Sequence, residues 1–184
     1  MFTRRSSLCA YSVVTTSNPK KPMNDEQKKT YIAWLNDAHA LEESLIDVLE
    51  KQIGELDGKP EAKEKLQEHL AETRHHAELV RACLARHGEE PSGGKDIMAK
   101  VGAAISGVSL SLAEDTMVKN VHSSYAAEHV EIASYTLIRA AASEFGDMET
   151  VAACDEVLVD ENDMAQWLLE QLPIVTVEYL REHM

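Results

Sequence analysis

Glutamates and histidines recur near the middle of four segments in which apolar residues repeat at helical spacing. Carboxylate oxygen combined with imidazole nitrogen suits iron or manganese better than calcium or a cysteine-ligated zinc ion. The candidate ligands are Glu42, Glu72, His75, His76, Glu128, Glu131 and Glu161. If these side chains meet, they could hold two metal ions in one interior site.

Glu42 is the most informative candidate because of the side of its helix on which it falls. At about 100° per residue, Glu42 lies within the apolar arc of the first segment, whereas Glu43 points outward. The arc consists of Leu35, Ala38, Leu45 and Leu49. A carboxylate within such an arc cannot be explained as solvated surface, so we expect Glu42 to be buried.

The second segment offers both oxygen and nitrogen donors. His69 and His76 are central on its apolar face, while Glu72 lies at the edge of that face. The spacing from Glu72 to His75 is that of the Glu-x-x-His motif of di-iron bundles, but the helical projection favours His76. His75 and His76 therefore compete for one role. For His69, a buried histidine that only supports a ligand is the commoner case.

The third and fourth segments repeat this arrangement. Glu128 and Glu131 lie in the middle of an apolar seam, so both should project into the core. Glu161 shares a face with apolar residues of the fourth segment, whereas Asp160 faces away. All four segments thus direct carboxylates toward a common interior.

These inward carboxylates need compensation, because burying even one unpaired carboxylate costs several kcal/mol. Arg74, Arg81 and Arg139 lie near the same levels, but the projections put all of them outside the apolar arcs. Any single inward glutamate could belong to a salt bridge. Their joint occurrence favours bound cations.

Helix signals bound the four segments. Asn24 and Gln27 form a capping-box pair, which predicts a first helix that runs until Gly58. A second helix is predicted from Pro60 to Gly88, and a third helix should end at Gly146-Asp147. A fourth helix follows almost at once and should break at Pro173, before a short C-terminal helix.

The connection between the second and third helices, Gly88 to about Leu112, is long enough to cross the bundle. It contains a weaker helical pattern, Lys95 to Ser106. Two hairpins joined by one long crossover is the connectivity of ferritin-like bundles. We therefore predict an all-α, ferritin-like four-helix bundle over residues 25–184 and a basic, disordered extension over residues 1–24.

Composition excludes several kinds of partner. Asp and Glu number 32 against 18 Lys and Arg, so the protein should repel nucleic acid. No apolar run approaches the roughly 20 residues that a membrane span needs. Cys83 and Cys154 lie among apolar neighbours, as expected of buried thiols in a reducing cytoplasm. These features predict a soluble, cytoplasmic protein.

Four stretches of the chain carry a family resemblance. They are Asp37 to Glu42, His69-Leu70-Ala71-Glu72-Thr73, Glu128-His129-Val130-Glu131-Ile132-Ala133-Ser134-Tyr135 and Asp160-Glu161. From about Trp34 to Leu172 the chain resembles the YciE/YciF group of bacterial ferritin-like stress proteins. The resemblance implies a homodimer, a role in stress responses and inward acidic positions. Those positions are Glu42, Glu72, Glu128, Glu131 and Glu161.

The fourth segment departs from the pattern of ferritins and manganese catalases. Met164 follows Glu161 at the place where those relatives carry a second Glu-x-x-His motif. The site would therefore be poor in nitrogen.

Two functional interpretations are compatible with such a site. In the first, a dinuclear iron or manganese centre reacts with oxygen or hydrogen peroxide, as in a ferroxidase or peroxidase. The ligands would divide as Glu42 and Glu72 on one ion, Glu131 and Glu161 on the other, Glu128 between them, and His76 or His75 as nitrogen donor. In the second, the protein binds metal without turnover, or is a dimeric structural stress protein with an empty site.

Overall fold

The computed structural model describes residues 22–56, 58–92 and 116–183. These ranges form four long helices: α1 (Asp25–Glu55), α2 (Pro60–Arg86), α3 (Thr116–Phe145) and α4 (Met148–Glu182). The predicted N-terminal extension, apart from residues 22–24, and the predicted helix Lys95 to Ser106 lie outside the described residues. None of the helices in the described ranges combines the length and the apolar character that a membrane crossing requires.

Local sequence features mark the helix starts. The side-chain oxygen of Asn24 accepts the backbone N–H of Gln27, and the Gln27 side chain accepts that of Asn24, each at 2.9 Å. This pair is the predicted capping box. Pro60 occupies the first position of α2, where its missing N–H is not needed. At the start of α4, the Asp147 carboxylate accepts the backbone N–H of Thr150 at 3.1 Å.

Each helix packs against two others: α1 against α2 and α3, and α4 against α3 and α2. Gln52 near the end of α1 contacts Ser124 near the start of α3 at 3.2 Å. Lys59, just before α2, contacts Glu178 near the end of α4 at 2.6 Å. These pairs are therefore antiparallel, and α2 ends at the opposite end of the bundle from the start of α3. The predicted four-helix bundle is confirmed, with the connectivity that a crossover requires.

Two apolar clusters lie toward the two ends of the bundle. The first cluster includes Tyr31, Leu35, Val80, Leu84, Ile138, Ala142 and Val157. The second cluster includes Leu49, Leu66, Leu70, Val121, Met164, Leu168 and Val175. Each fully buried Leu, Ile or Val side chain contributes about 1.5–3 kcal/mol to folding. Apart from Thr150 at the start of α4, the buried polar side chains occupy the levels between the clusters, so apolar packing on both sides holds them together.

The predicted break at Pro173 is wrong, because α4 continues through it to Glu182 as one helix. Pro173 cannot donate to the carbonyl of Leu169, but both residues lie on the exposed side, where water can reach that carbonyl. Val175 is buried and packs in the same cluster as Leu49. This packing keeps the helix intact beyond the proline.

Candidate metal centre

Glu42 is buried on α1, as predicted, with no exposed surface. The phenol of Tyr135 on α3 donates a hydrogen bond to Glu42 Oε1. The other oxygen, Oε2, is buried without a hydrogen-bond partner. It lies 3.8 Å from His76 Nδ1 on α2. One oxygen of this carboxylate is thus held in place and the other is available.

Helix α2 places His69, Thr73 and His76 on one buried stripe, because their spacings of four and three residues share a helix face. The Thr73 hydroxyl donates to the backbone carbonyl of His69 at 2.9 Å. His76 has no exposed surface. The helical projection therefore placed it correctly.

The two remaining candidates on α2 lie closer to solvent. The His75 side chain is 53% exposed, and its Nε2 lies 2.9 Å from Glu156 Oε1. His75 therefore lies outside the buried cluster, which consists of Glu42, His69, His76, Glu128, Glu131 and Glu161. The Glu72 side chain is 27% exposed, and its Oε2 lies 3.1 Å from His69 Nδ1. Glu72 thus lies at the edge of the cluster, behind His69.

Helices α3 and α4 complete the cluster. Glu128, Glu131 and Glu161 are all buried, as predicted. Glu128 Oε2 lies 3.5 Å from His69 Nε2. Glu161 Oε1 lies 2.9 Å from His76 Nδ1. The polar layer therefore draws side chains from all four helices.

The expectation that Asp160 faces away needs correction. Its Oδ2 lies 3.1 Å from His76 Nε2, and its side chain is 30% exposed. A helical projection treats each helix alone. It cannot show that packing of α2 against α4 brings His76 to the edge where Asp160 lies.

Within the described residues, two groups of three side chains bring possible ligand atoms within 4.8 Å of one another. One group is Glu42, His76 and Glu161, and the other is His69, Glu128 and Glu161. Glu161 belongs to both. These buried carboxylates and imidazoles could hold metal.

Buried polar atoms normally have hydrogen-bond partners. In the described part of the chain, the fully buried side-chain atoms that lack one all belong to this cluster. They are Glu42 Oε2, His76 Nδ1, Glu128 Oε2, Glu131 Oε2 and both carboxylate oxygens of Glu161. His76 Nδ1 and Glu161 Oε1 are 2.9 Å apart but lack hydrogen-bonding geometry. Donor atoms that face a shared space in this way fit the surroundings of a divalent cation.

Burial controls protonation in the cluster. Desolvation raises the pKa of Glu42 to about 8 and that of Glu161 to about 7, although His76 opposes both shifts. It also raises the pKa of Glu131 well above its usual range, with the neighbouring carboxylates adding to the effect. Burial by itself would lower the pKa of His69 and of His76, but the carboxylates that face the two rings raise it by more. The pKa rises to about 9 for His76 and about 10 for His69.

Among the described residues, no arginine pairs with these carboxylates, in agreement with the sequence-based expectation. On the surface, Arg74, Arg81 and Arg139 pair with Glu50, Glu78 and Asp155, respectively. Without metal, protons on glutamates and histidines must balance the buried charge. Divalent ions could replace those protons. The oxygen-rich set with two imidazoles could hold a metal ion.

Sequence reasoning undervalued two residues. His69 was expected only to support a ligand, but it belongs to the second group. Tyr135 was named only in a stretch that carries the family resemblance, yet its hydroxyl donates a hydrogen bond to Glu42. Its spacing of four residues from Glu131 was the available signal.

A family model for a domain of unknown function, DUF892, matches residues 26–181. The chain belongs to this family. The match covers all four helices of this DUF892 protein except the last residue of α4 and Asp25 of α1.

Two solved structures resemble the DUF892 protein. The XCC3681 protein of Xanthomonas campestris has a TM-score of 0.72 at 28% identity, covering 86% of this chain and 99% of that one. YcfI of Rhodopseudomonas palustris, for which a structural role has been suggested, has a TM-score of 0.63 at 22% identity. That match covers 83% of this chain and 96% of YcfI, and it supports the fold alone. The DUF892 match and the likeness to the XCC3681 protein fit a YciF-like helical family.

Proposed function

We propose that this DUF892 protein binds two divalent ions, iron or manganese, in the polar layer of its bundle. The observation that carries the proposal is that Glu161 belongs to both three-residue groups. A carboxylate shared in this way is suited to bridging two ions. The unpartnered oxygens of the cluster are the atoms that ions would satisfy.

The ligands divide differently from the sequence-based allocation. Glu42 and His76 would bind one ion, and His69 and Glu128 the other, with Glu161 between them. Glu131 would complete the site, because it is buried beside these carboxylates with one oxygen unpartnered.

Glu72 would not be a direct ligand. It contacts His69 Nδ1, whereas the other ring nitrogen, Nε2, is the one that lies near Glu128. The site then has two nitrogen donors, His69 and His76, rather than the single one expected from the sequence.

Iron or manganese in this site would supply one-electron chemistry toward oxygen or hydrogen peroxide. The chain itself would fix the ligand geometry. Tyr135 holds one oxygen of Glu42, and the apolar clusters on either side limit access of water. A ferroxidase or peroxidase activity is the corresponding enzymatic proposal.

Metal content tests the binding proposal. We expect elemental analysis of protein loaded anaerobically with Fe²⁺ or with Mn²⁺ to give about two ions per chain. Glu161→Gln should lose most of both ions because it is shared, whereas Asp163→Asn, exposed on the same helix, should bind normally. Wild-type protein with only a few tenths of an ion per chain would overturn the proposal.

Turnover needs its own assay. Iron oxidation and peroxide consumption by the loaded wild-type protein should exceed those of a Glu42→Ala, Glu131→Ala double variant. Equal rates would reject the enzymatic proposal but leave metal binding standing.

A structural role is the second candidate function. It draws on the suggested role of YcfI and on the ability of protons to balance the buried charge. Low metal content after growth in metal-replete medium would favour it. The homodimer implied by the family resemblance is checked by light scattering on the purified protein.

A further inference from the structure

His76 and His69 each face carboxylates at both ring nitrogens, and Glu42 lies further from His76 Nδ1, at 3.8 Å. In His76, Nδ1 lies 2.9 Å from Glu161 Oε1 and Nε2 lies 3.1 Å from Asp160 Oδ2. In His69 the nitrogens exchange roles, because Nε2 faces the buried carboxylate and Nδ1 faces the partly exposed one. Its Nε2 lies 3.5 Å from Glu128 Oε2 and its Nδ1 lies 3.1 Å from Glu72 Oε2.

The inner and outer carboxylates differ in their surroundings. The inner ones, Glu128 and Glu161, are buried and have oxygens without hydrogen-bond partners. The outer ones, Glu72 and Asp160, keep 27% and 30% of their side-chain surface exposed. A partly exposed carboxylate retains part of its hydration and therefore depends less on a metal ion to compensate it.

We infer that Asp160 and Glu72 are positioning residues that orient His76 and His69 toward the metal ions. Each outer carboxylate would accept the N–H of the outer ring nitrogen and leave the inner nitrogen free as a ligand. This inference rests on the proposed metal binding. It gives Glu72 a different role from the direct ligand expected from the sequence.

The physical reason is that an imidazole presents either of its two nitrogens. A hydrogen bond from one N–H to a carboxylate selects the tautomer, fixes the ring orientation and makes the other nitrogen a stronger donor. Because α4 places Asp160 directly before Glu161, one turn of helix contacts both sides of the His76 ring. Glu72 reaches His69 from one turn away on α2 itself.

Zn²⁺ is a suitable diamagnetic probe, and competition with a chromophoric chelator gives its affinity. We expect Asp160→Ala and Glu72→Ala to weaken Zn²⁺ binding about 10- to 100-fold, the usual effect of removing such a partner. The matched controls are Asp163→Ala on α4 and Glu68→Ala on α2, which remove the same charge from exposed positions. Asp160→Asn should recover part of the affinity, because the amide oxygen can still accept the ring N–H.

A spectroscopic measurement separates positioning from a general loss of structure. In ¹⁵N-histidine-labelled, Zn²⁺-loaded protein, His76 should coordinate through Nδ1 with its proton on Nε2. His69 should show the opposite pattern, with coordination through Nε2. Asp160→Ala should lose this single-tautomer signature at His76 and retain it at His69.

Each outcome decides the matter. Coordination of His76 through Nε2, or equal Zn²⁺ affinity in Asp160→Ala and Asp163→Ala, would overturn this inference while leaving metal binding intact. Wild-type protein that bound no Zn²⁺, Fe²⁺ or Mn²⁺ would overturn the proposed function and this inference together.

Discussion

The phenol of Tyr135 on α3 donates a hydrogen bond to Glu42 Oε1 on α1, deep in the bundle, while Glu42 Oε2 has no hydrogen-bond partner. Burial raises the pKa of Tyr135 well above its usual range, and the carboxylate of Glu42 raises it further. The phenol therefore stays protonated and remains a donor at any working pH. This contact ties two helices together at the level of the candidate site.

Removing that hydroxyl should destabilise the protein. We expect Tyr135→Phe to lower the free energy of unfolding by about 1–3 kcal/mol, because it leaves a buried carboxylate oxygen unsatisfied. Urea denaturation of chelator-treated protein measures the change. Tyr179→Phe, near the end of α4, is the control. Equal stability of the two variants would mean that the Tyr135 hydroxyl contributes nothing.

Single substitutions should separate the two halves of the site. Glu42 and Glu128 each belong to one three-residue group, whereas Glu161 belongs to both. We expect Glu42→Gln and Glu128→Gln each to retain about one ion per chain and Glu161→Gln to retain far less. Elemental analysis at matched loading gives these ratios. Loss of both ions in Glu42→Gln would show that the groups do not act separately.

The helices and the inward faces were predictable from the sequence because both depend on local patterns. The Asn24 capping box and the burial of Glu42 and Glu161 each follow from spacing within one helix. Contacts between helices were not predictable in this way. The proximity of Asp160 to His76 depends on how α2 and α4 pack.

The continuation of α4 and the shared position of Glu161 were also beyond local patterns. A proline normally ends a helix, and only the packing of Val175 shows why α4 continues through Pro173. A projection can place Glu161 inside the bundle. It cannot place it between two groups that come from three other helices.

Stability without metal should fall as pH rises. The folded-state pKa is raised to about 8 for Glu42, about 7 for Glu161 and about 9 for His76. The folded state therefore holds protons that the unfolded chain has already released, so this contribution to stability is lost with rising pH. We expect the melting temperature of chelator-treated protein to decrease between about pH 5 and about pH 9.

The affinity for metal should depend on pH in the opposite direction from the stability of the metal-free protein. Ligands must be deprotonated to bind an ion, so Mn²⁺ binding should tighten as pH rises and should release protons. Calorimetry in two buffers of different ionisation enthalpy counts those protons. Glu42→Gln should release fewer of them than wild type. Binding that is independent of pH would indicate that the ions lie elsewhere.

Pro173 offers a test of the α4 interpretation. Because the helix is continuous and Pro173 is exposed, Pro173→Ala should restore a backbone hydrogen bond to Leu169 without steric conflict. We expect a gain of stability of about 1–3 kcal/mol by urea denaturation. A matched Thr176→Ala variant, also exposed on α4, should change little. A destabilised Pro173→Ala variant would show that the proline shapes the end of the bundle.

Asp147 should control stability in acid. Burial raises the pKa of Asp147, but hydrogen bonds from Thr150, His87 and Tyr31 outweigh it and lower the pKa to about 2. A carboxyl group with a lowered folded-state pKa stabilises the protein above its unfolded pKa, and this contribution is lost as pH falls through the folded value. Asp147→Ala should therefore cost about 0.5–2 kcal/mol near neutral pH, because α4 loses its N-cap. The difference from wild type should shrink as pH falls from about 4 to about 2. Urea denaturation at several pH values measures it, with Asp163→Ala as the control, and a difference that stayed constant down to about pH 2 would assign the effect to packing rather than to the ionised cap.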